Sequence, residues 1–395
     1  MTRERFFESQ EVTMTHGIDW NRLAETSLRG EAISPEEARA VLSAPDDELL
    51  SLLAAAARVR RAHFGATVKL NFLLNVKSGL CPEDCHYCSQ SSVSIAEIAR
   101  YPILSVQEIL AAAERAVSVK AARFCVVASG RGPTDREVDA LSEGVRAVRS
   151  VHPELEVCAC LGLLKDGQAE RLREAGVFAY NHNLNTSERL YGEICSTHTF
   201  RDRVATIGRA KAAGLSPCCG ALFGMGEELD DIVSLAYALR EIGVDSIPIN
   251  FLIPIPGTPL ATRPPLSPRE CLKILCLFRL LNPASEIRIA GGREVQLRWL
   301  QPFGLHVANS IFVGDYLTTK GQPPEADLAM IRDLGLTILG HEKGGEPKAG
   351  REMMPGEPKA GREMEQMDVA EAGSEPWTAG GMGGGVGSLT RHPNA

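Results

Sequence analysis

Positive charge is in deficit in this 395-residue sequence: 42 Lys and Arg stand against 50 Asp and Glu, a formal net charge of −8. Nucleic acid and anionic membrane surfaces both reward a basic face, so neither is expected as a partner. The chain also lacks any apolar run approaching the roughly 18 residues that a bilayer crossing requires. Its opening stretch, MTRERFFESQEVTM, has no apolar core of the kind a secretory leader carries. We expect a cytoplasmic protein. Full disulfide pairing is excluded too, because the eleven cysteines are an odd number. In a reducing compartment cysteines serve as buried filler, metal ligands or redox groups. Cys195, Cys271 and Cys276 are assigned to filler, the last two within the helical stretch ECLKILCLFRLL.

Hydrophobic residues make up 44% and charged residues 23%, enough for a sizeable core in a soluble globular chain. Residues 19–62 carry helical patterns, among them SPEEARAVLSA, where Ser34 is placed to cap, Pro35 to start the helix and Glu37 to complete a capping box. From Val68 the rhythm changes to short β-branched runs alternating with helical segments. Eight strand candidates result, at 68–76, 122–129, 155–162, 177–184, 216–224, 246–253, 286–291 and 306–314. Eight βα units over about 270 residues predict a (β/α)8 barrel, with an open doubly wound sheet as the alternative. The expected organisation is an N-terminal helical extension (1–64), the barrel (65–340) and a tail (341–395). In the tail GEPKAGREM recurs at 345–353 and 356–364, and its Gly-, Pro- and charge-rich composition predicts disorder.

GLCPEDCHYCSQ, residues 79–90, spaces Cys81, Cys85 and Cys88 as C-x3-C-x2-C, with no fourth cysteine in the next thirty residues. Structural zinc needs four N or S ligands, and His86, between two of the cysteines, is badly placed to complete the set. A 4Fe–4S cluster on three thiolates keeps one iron open, which marks a catalytic site. The loop follows the first strand, on the catalytic face of a barrel. Further along, Cys125 lies in the second strand candidate, while Cys158 and Cys160 share one face of the third. Of the adjacent Cys218 and Cys219 only one can point inward. Arg288 sits between Ile287 and Ile289 in the seventh, where it must pair or face a ligand. Inward cysteines from three strands beside that arginine suggest a second metal centre. Core packing is the alternative for each cysteine singly.

The three-cysteine loop, with Tyr87 before its last cysteine, resembles the radical S-adenosylmethionine (AdoMet) superfamily. The ordered motifs SGLCPEDCHYCSQS, RFCVVASGRGP, YNHNLNTS, GMGE, PINFLIPIPGTPL, IRIAGGRE and ANSIFVGDYLTT resemble the biotin synthase family more narrowly. That resemblance implies a 4Fe–4S cluster on Cys81, Cys85 and Cys88 with AdoMet on the open iron. It implies a 2Fe–2S cluster on Cys125, Cys158, Cys218 and Arg288, and sulfur insertion into dethiobiotin. By motif match, Tyr87, Asn183, Asn185, Arg203, Gly224 and Gly226 would contact AdoMet, and Asn181 and Asn250 the substrate. Asn185 departs from the family, where Asp is common and bonds the ribose; an amide accepts through its oxygen but brings no charge. A low-potential electron donor such as flavodoxin or ferredoxin and a homodimer are further expectations. A hydrogenase-maturation or methylornithine-forming relative would share the first cysteine set without needing the second. A zinc or electron-transfer protein is the non-enzymatic alternative.

Overall fold

A computed structural model describes residues 17–79 and 81–341. The expectation of a disordered tail falls, from residue 342 onward, outside the described residues.

Three helices lead the chain: α1 (Trp20–Leu28), α2 (Pro35–Leu42) and α3 (Leu49–Phe64). The predicted capping box of α2 is present: Ser34 and Glu37 satisfy each other's backbone N–H groups, with Pro35 in the first turn. The buried faces of these helices join one apolar core with the helix Pro268–Leu281. Ser27 Oγ donates to the Leu280 carbonyl at 2.7 Å across that contact.

Ten strands follow among the described residues: β1 (Thr67–Lys77), β2 (Arg123–Ala128), β3 (Glu156–Cys160), β4 (Ala179–Asn181), β5 (Ser216–Cys218), β6 (Ala221–Phe223), β7 (Ser246–Phe251), β8 (Glu286–Ile289), β9 (Ser310–Val313) and β10 (Thr337–Ile338). All pairings between them are parallel, and β1 pairs with both β2 and β9, so the sheet closes into a barrel. The open doubly wound alternative is thereby rejected. β5 and β6 both pair with β7 and form a single stave of the eight, broken at Cys219–Gly220. The break allows close packing: a Cβ on Gly220 would lie 1.9 Å from the Pro248 carbonyl oxygen. β10 extends the sheet beside the start of β1.

All eight strand candidates contain strand, with three informative departures. The fourth shrinks to β4 because the regular ladder is interrupted beyond it: Asn183 Oδ1 accepts the Gly220 N–H at 3.0 Å, and backbone pairing resumes only as an isolated bridge at Asn185. The fifth is interrupted at Gly220. The eighth loses its first residues to the helix Gln301–Val307, which Pro302 starts in its first turn. A short run such as His306–Ala308 carries too little periodicity to separate helix from strand. Along the strands, inward and outward residues alternate. Cys218 joins the barrel interior with Cys125 and Cys158, whereas Cys219 faces the outer core.

Candidate active site at the mouth of the barrel

The C-terminal ends of the strands open into a cavity of about 370 Å³ lined by Cys81, Cys85, Cys88, Cys125 and Arg288, among others. Both cysteine sets predicted from the sequence thus reach one space.

The outer set lies on an irregular loop after β1, held by side chains instead of a sheet ladder. The Asp84 carboxylate accepts from Ser196 N (2.9 Å), Ser196 Oγ (2.5 Å) and Thr197 Oγ1 (3.0 Å). His86 N donates to the Ile194 carbonyl at 3.0 Å, so the loop is clamped to residues 194–197. Glu83 adds contacts to Thr197 Oγ1 (2.7 Å) and to His198 Nδ1. Burial raises the Cys81 thiol and pushes Cys88 up to about 11. Cys85 is raised by its hydrogen bond to Cys195 and then by burial. Metal-free, these thiols hold their protons at neutral pH, and a metal would bind by displacing them.

Cys195 corrects the sequence reading. It is buried, as filler would be, but its Sγ lies 3.7 Å from Cys85 Sγ, 3.3 Å from His198 Nδ1 and 3.2 Å from Asp84 Oδ1. It is a polar thiol beside Cys85. Cys271 and Cys276, by contrast, are packed among apolar residues of the helix Pro268–Leu281.

Of the residues matched to AdoMet, Tyr87, Asn183, Asn185 and Arg203 line the cavity. Asn185, at φ +70°, donates through Nδ2 to Tyr87 Oη at 2.5 Å. The buried Arg203 guanidinium reaches the Asn183 carbonyl (2.6 Å), His198 Nε2 (3.1 Å) and the Tyr191 hydroxyl. It has no carboxylate partner among the described residues. A buried cation so placed fits an anionic ligand group such as the AdoMet carboxylate. Asn181 Nδ2 lies 3.3 Å from Cys218 Sγ and 3.0 Å from Asn183 Oδ1. Asn250 ties β6 to the end of β8, donating to the Ala221 carbonyl and accepting from Gly291 N, both at 3.0 Å. Gly224 and Gly226 do not line the cavity. They adopt positive φ (+99° and +116°), and their N–H groups turn back to Glu227 Oε2.

The inner set is built on strand register. Cys125 on β2 is directly opposite Cys158 on β3, and Cys218 on β5 lies opposite Asn181 on β4. Arg288 on β8 is fully buried, with Nη1 3.8 Å from Cys218 Sγ and its guanidinium over the Phe312 ring. It both pairs and faces the thiols. Its partner is Glu286, at 2.5 Å, with Ser246 Oγ at 3.0 Å. Beneath them Lys69 and Arg123 share Glu156 at 2.6 and 2.8 Å. Three cations thus face two carboxylates at the barrel floor. A hydrogen bond from Cys158, followed by Arg288 and Arg123, lowers Cys125 and Cys218 against the opposing effect of burial. Cys158, as the donor, is raised. Two thiols inclined to thiolate above a cationic floor suit an anionic iron–sulfur group. Sequence reasoning missed Glu286, Arg123 and Lys69; the Glu286-Ile287-Arg288 spacing, which puts both charges on one strand face, was the available signal.

Residues 75–239 match the radical SAM superfamily, and residues 248–337 match the biotin and thiamin synthesis associated domain. Biotin synthase of Streptomyces coelicolor is 57% identical over 320 residues, spanning 81% of this chain and 79% of that one. The chain belongs to the biotin synthase family. Biotin synthases of Kocuria rhizophila (55% identical; 84% of this chain, 71% of that one) and Geobacillus thermodenitrificans (54%; 81% and 96%) agree. Among solved structures, methylornithine synthase (PylB) superposes with a TM-score of 0.71 at 20% identity, covering 80% of this chain and 97% of that one. The FeFe-hydrogenase maturase HydG from Carboxydothermus hydrogenoformans gives 0.69 at 19% identity, covering 81% and 79%. At such identities the two structures share the fold alone with this biotin synthase family member. Membership of the radical SAM superfamily brings AdoMet chemistry with an iron–sulfur cluster. No helix among the described residues is long and apolar enough to cross a membrane.

Proposed function

We propose that this chain converts dethiobiotin to biotin by radical AdoMet-dependent sulfur insertion, on a 4Fe–4S site at Cys81, Cys85 and Cys88 and a 2Fe–2S site at Cys125, Cys158, Cys218 and Arg288. The observation that carries the reading is the second set: three thiols and an arginine gathered inside the barrel, of which Cys125 and Arg288 line the same cavity as the first three cysteines. Bound there, AdoMet and the two clusters would supply the radical that breaks an unactivated C–H bond and the sulfur that replaces the hydrogen, chemistry beyond any side-chain acid or base.

The chain's own residues bind, orient and exclude water. Arg203 pairs with the AdoMet carboxylate. Asn185 is pinned through Nδ2 to Tyr87, which leaves its Oδ1 to accept a ribose hydroxyl. Asn181, within reach of Cys218 Sγ, stands where substrate and inner sulfur meet. Glu286, Arg123 and Lys69 act on Arg288 from below and position it. Our reading also includes a cytoplasmic homodimer reduced by a flavodoxin- or ferredoxin-like donor.

Anaerobic incubation with AdoMet, a low-potential reductant and dethiobiotin is expected to yield 5′-deoxyadenosine and biotin together. 5′-Deoxyadenosine without biotin would keep the superfamily and reject the substrate. Analysis of anaerobically purified protein is expected to find about six irons per chain, the sum for one cluster of each type. Failure to take up iron and sulfide after zinc has been stripped by a chelator and the protein reconstituted anaerobically would reject both sites. Arg288→Ala is expected to alter the inner cluster's absorption spectrum, and an unchanged spectrum counts against Arg288 as a ligand.

A further inference from the structure

Beyond the two cysteine sets, one more group of metal-ligating side chains converges among the described residues: Cys85, Cys195 and His198. All three are buried, and their ligand atoms lie within 4.8 Å of one another. Two thiolates on one tetrahedral ion with metal–sulfur bonds of about 2.3 Å stand about 3.8 Å apart. Cys85 Sγ and Cys195 Sγ are 3.7 Å apart. A thiolate and an imidazole nitrogen on the same ion stand about 3.5 Å apart. Cys195 Sγ and His198 Nδ1 are 3.3 Å apart. Glu83 Oε2 touches the same His198 nitrogen and accepts from Thr197 Oγ1 at 2.7 Å, so a carboxylate is at hand for a fourth position. The arrangement is held by backbone as well as side chains, through the His86 to Ile194 bond and the Asp84 clamp, one residue from each cysteine.

We infer that, in the cluster-free protein, Cys85, Cys195 and His198 bind a thiophilic divalent cation such as Zn²⁺, and that this site and the 4Fe–4S site exclude each other because they share Cys85. Binding forms two metal–thiolate bonds and a metal–Nδ1 bond, and the proton that Cys85 shares with Cys195 leaves to solvent. The imidazole proton passes to Nε2, where Arg203 Nε now donates at 3.1 Å and must turn aside. Occupancy therefore disturbs the cation expected to hold AdoMet as well as removing a cluster ligand. A family member whose iron is lost has a defined blocked state, from which zinc must leave before iron can return.

The test uses full-length protein stripped of iron under anaerobic, reducing conditions and titrated with Co²⁺, whose tetrahedral thiolate complexes have intense d–d and charge-transfer bands. The inner thiols also take up cobalt, so the site is read as a difference between variants. We expect Cys195→Ser, His198→Gln and Cys85→Ser each to lose one tetrahedral equivalent relative to wild type, and Cys81→Ser to keep it. Glu83→Gln is expected to weaken that equivalent by about 10–100-fold, as loss of a supporting carboxylate does. Protein with reconstituted clusters is expected to refuse it. Retention of the full signal in Cys195→Ser, or its loss in Cys81→Ser, would place cobalt on the cluster triad and overturn the inference. So would a Cys85–Cys195 disulfide with no cobalt uptake. Should the Cys195 variant misfold by circular dichroism, the contrast between Cys85→Ser and Cys81→Ser decides by itself.

Discussion

The outer cysteines and Cys125 of the inner set line one cavity, but the two sets are positioned by different means. Cys125, Cys158 and Cys218 ride on paired strands, where register fixes each Cβ and the neighbouring staves supply a charged floor. Cys81, Cys85 and Cys88 sit on a loop without a ladder, and its shape depends on one carboxylate, Asp84, with help from Glu83. Strand register gives a rigid donor set. A clamped loop gives one set by a few side-chain bonds, and it also lets a foreign thiol, Cys195, approach.

The largest expected effect tests the floor of the inner set. Glu286→Ala leaves Arg288, Arg123 and Lys69 opposed only by Glu156, and breaking a buried ion pair on one side costs about 3–5 kcal/mol. Urea unfolding of cluster-free protein measures it; a loss under about 1 kcal/mol would mean that the cations do not need Glu286.

Next comes the loop after β6. Burial pushes Glu227 up to about 7, against the pull of the three N–H groups it accepts, of Gly224, Met225 and Gly226. A carboxyl whose pKa is raised on folding binds its proton more tightly in the folded state. Its contribution is most favourable below about pH 4.5 and is lost as pH rises to about 7, by roughly 3 kcal/mol. Glu227→Gln should flatten that part of the stability–pH profile while keeping an acceptor for the amides. An unchanged slope would mean another group titrates there.

A smaller effect isolates the outer clamp. Although burial opposes it, hydrogen bonds from Ser196, Cys195 and Thr197 hold Asp84 well below the usual carboxylate range. Its depressed pKa means that the clamp is present above about pH 4 and is lost as pH falls further. Asp84→Asn should cost about 1 kcal/mol and speed hydrogen exchange at Ser196 and Thr197, with β2 and β3 unchanged. Equal acceleration in the strands would erase the distinction between loop and barrel. Smallest is Asn185→Asp: AdoMet affinity, read by equilibrium binding to the reconstituted protein, should change by less than about tenfold, since one hydrogen bond is worth about 1 kcal/mol.

Local chemistry made much of this legible. The capping boxes at Ser34 and Glu37, and again at Ser105 and Glu108, repeat a short-range pattern of side chain on backbone. The alternation along β2 and β3 pointed Cys125 and Cys158 inward. The break at Gly220 was less visible, because nothing near it in sequence announces that the Pro248 carbonyl passes within contact of its Cα.

By itself the sequence determined the eight βα units, the three-cysteine loop after the first strand, and which cysteines could share a strand face, since each follows from spacing along the chain. Tertiary structure alone decided that Cys195, 110 positions away, meets Cys85, and that Lys69 and Arg123 gather under Arg288. Those contacts arise when the barrel closes and its loops fold over one mouth, and no local periodicity encodes where distant segments then touch.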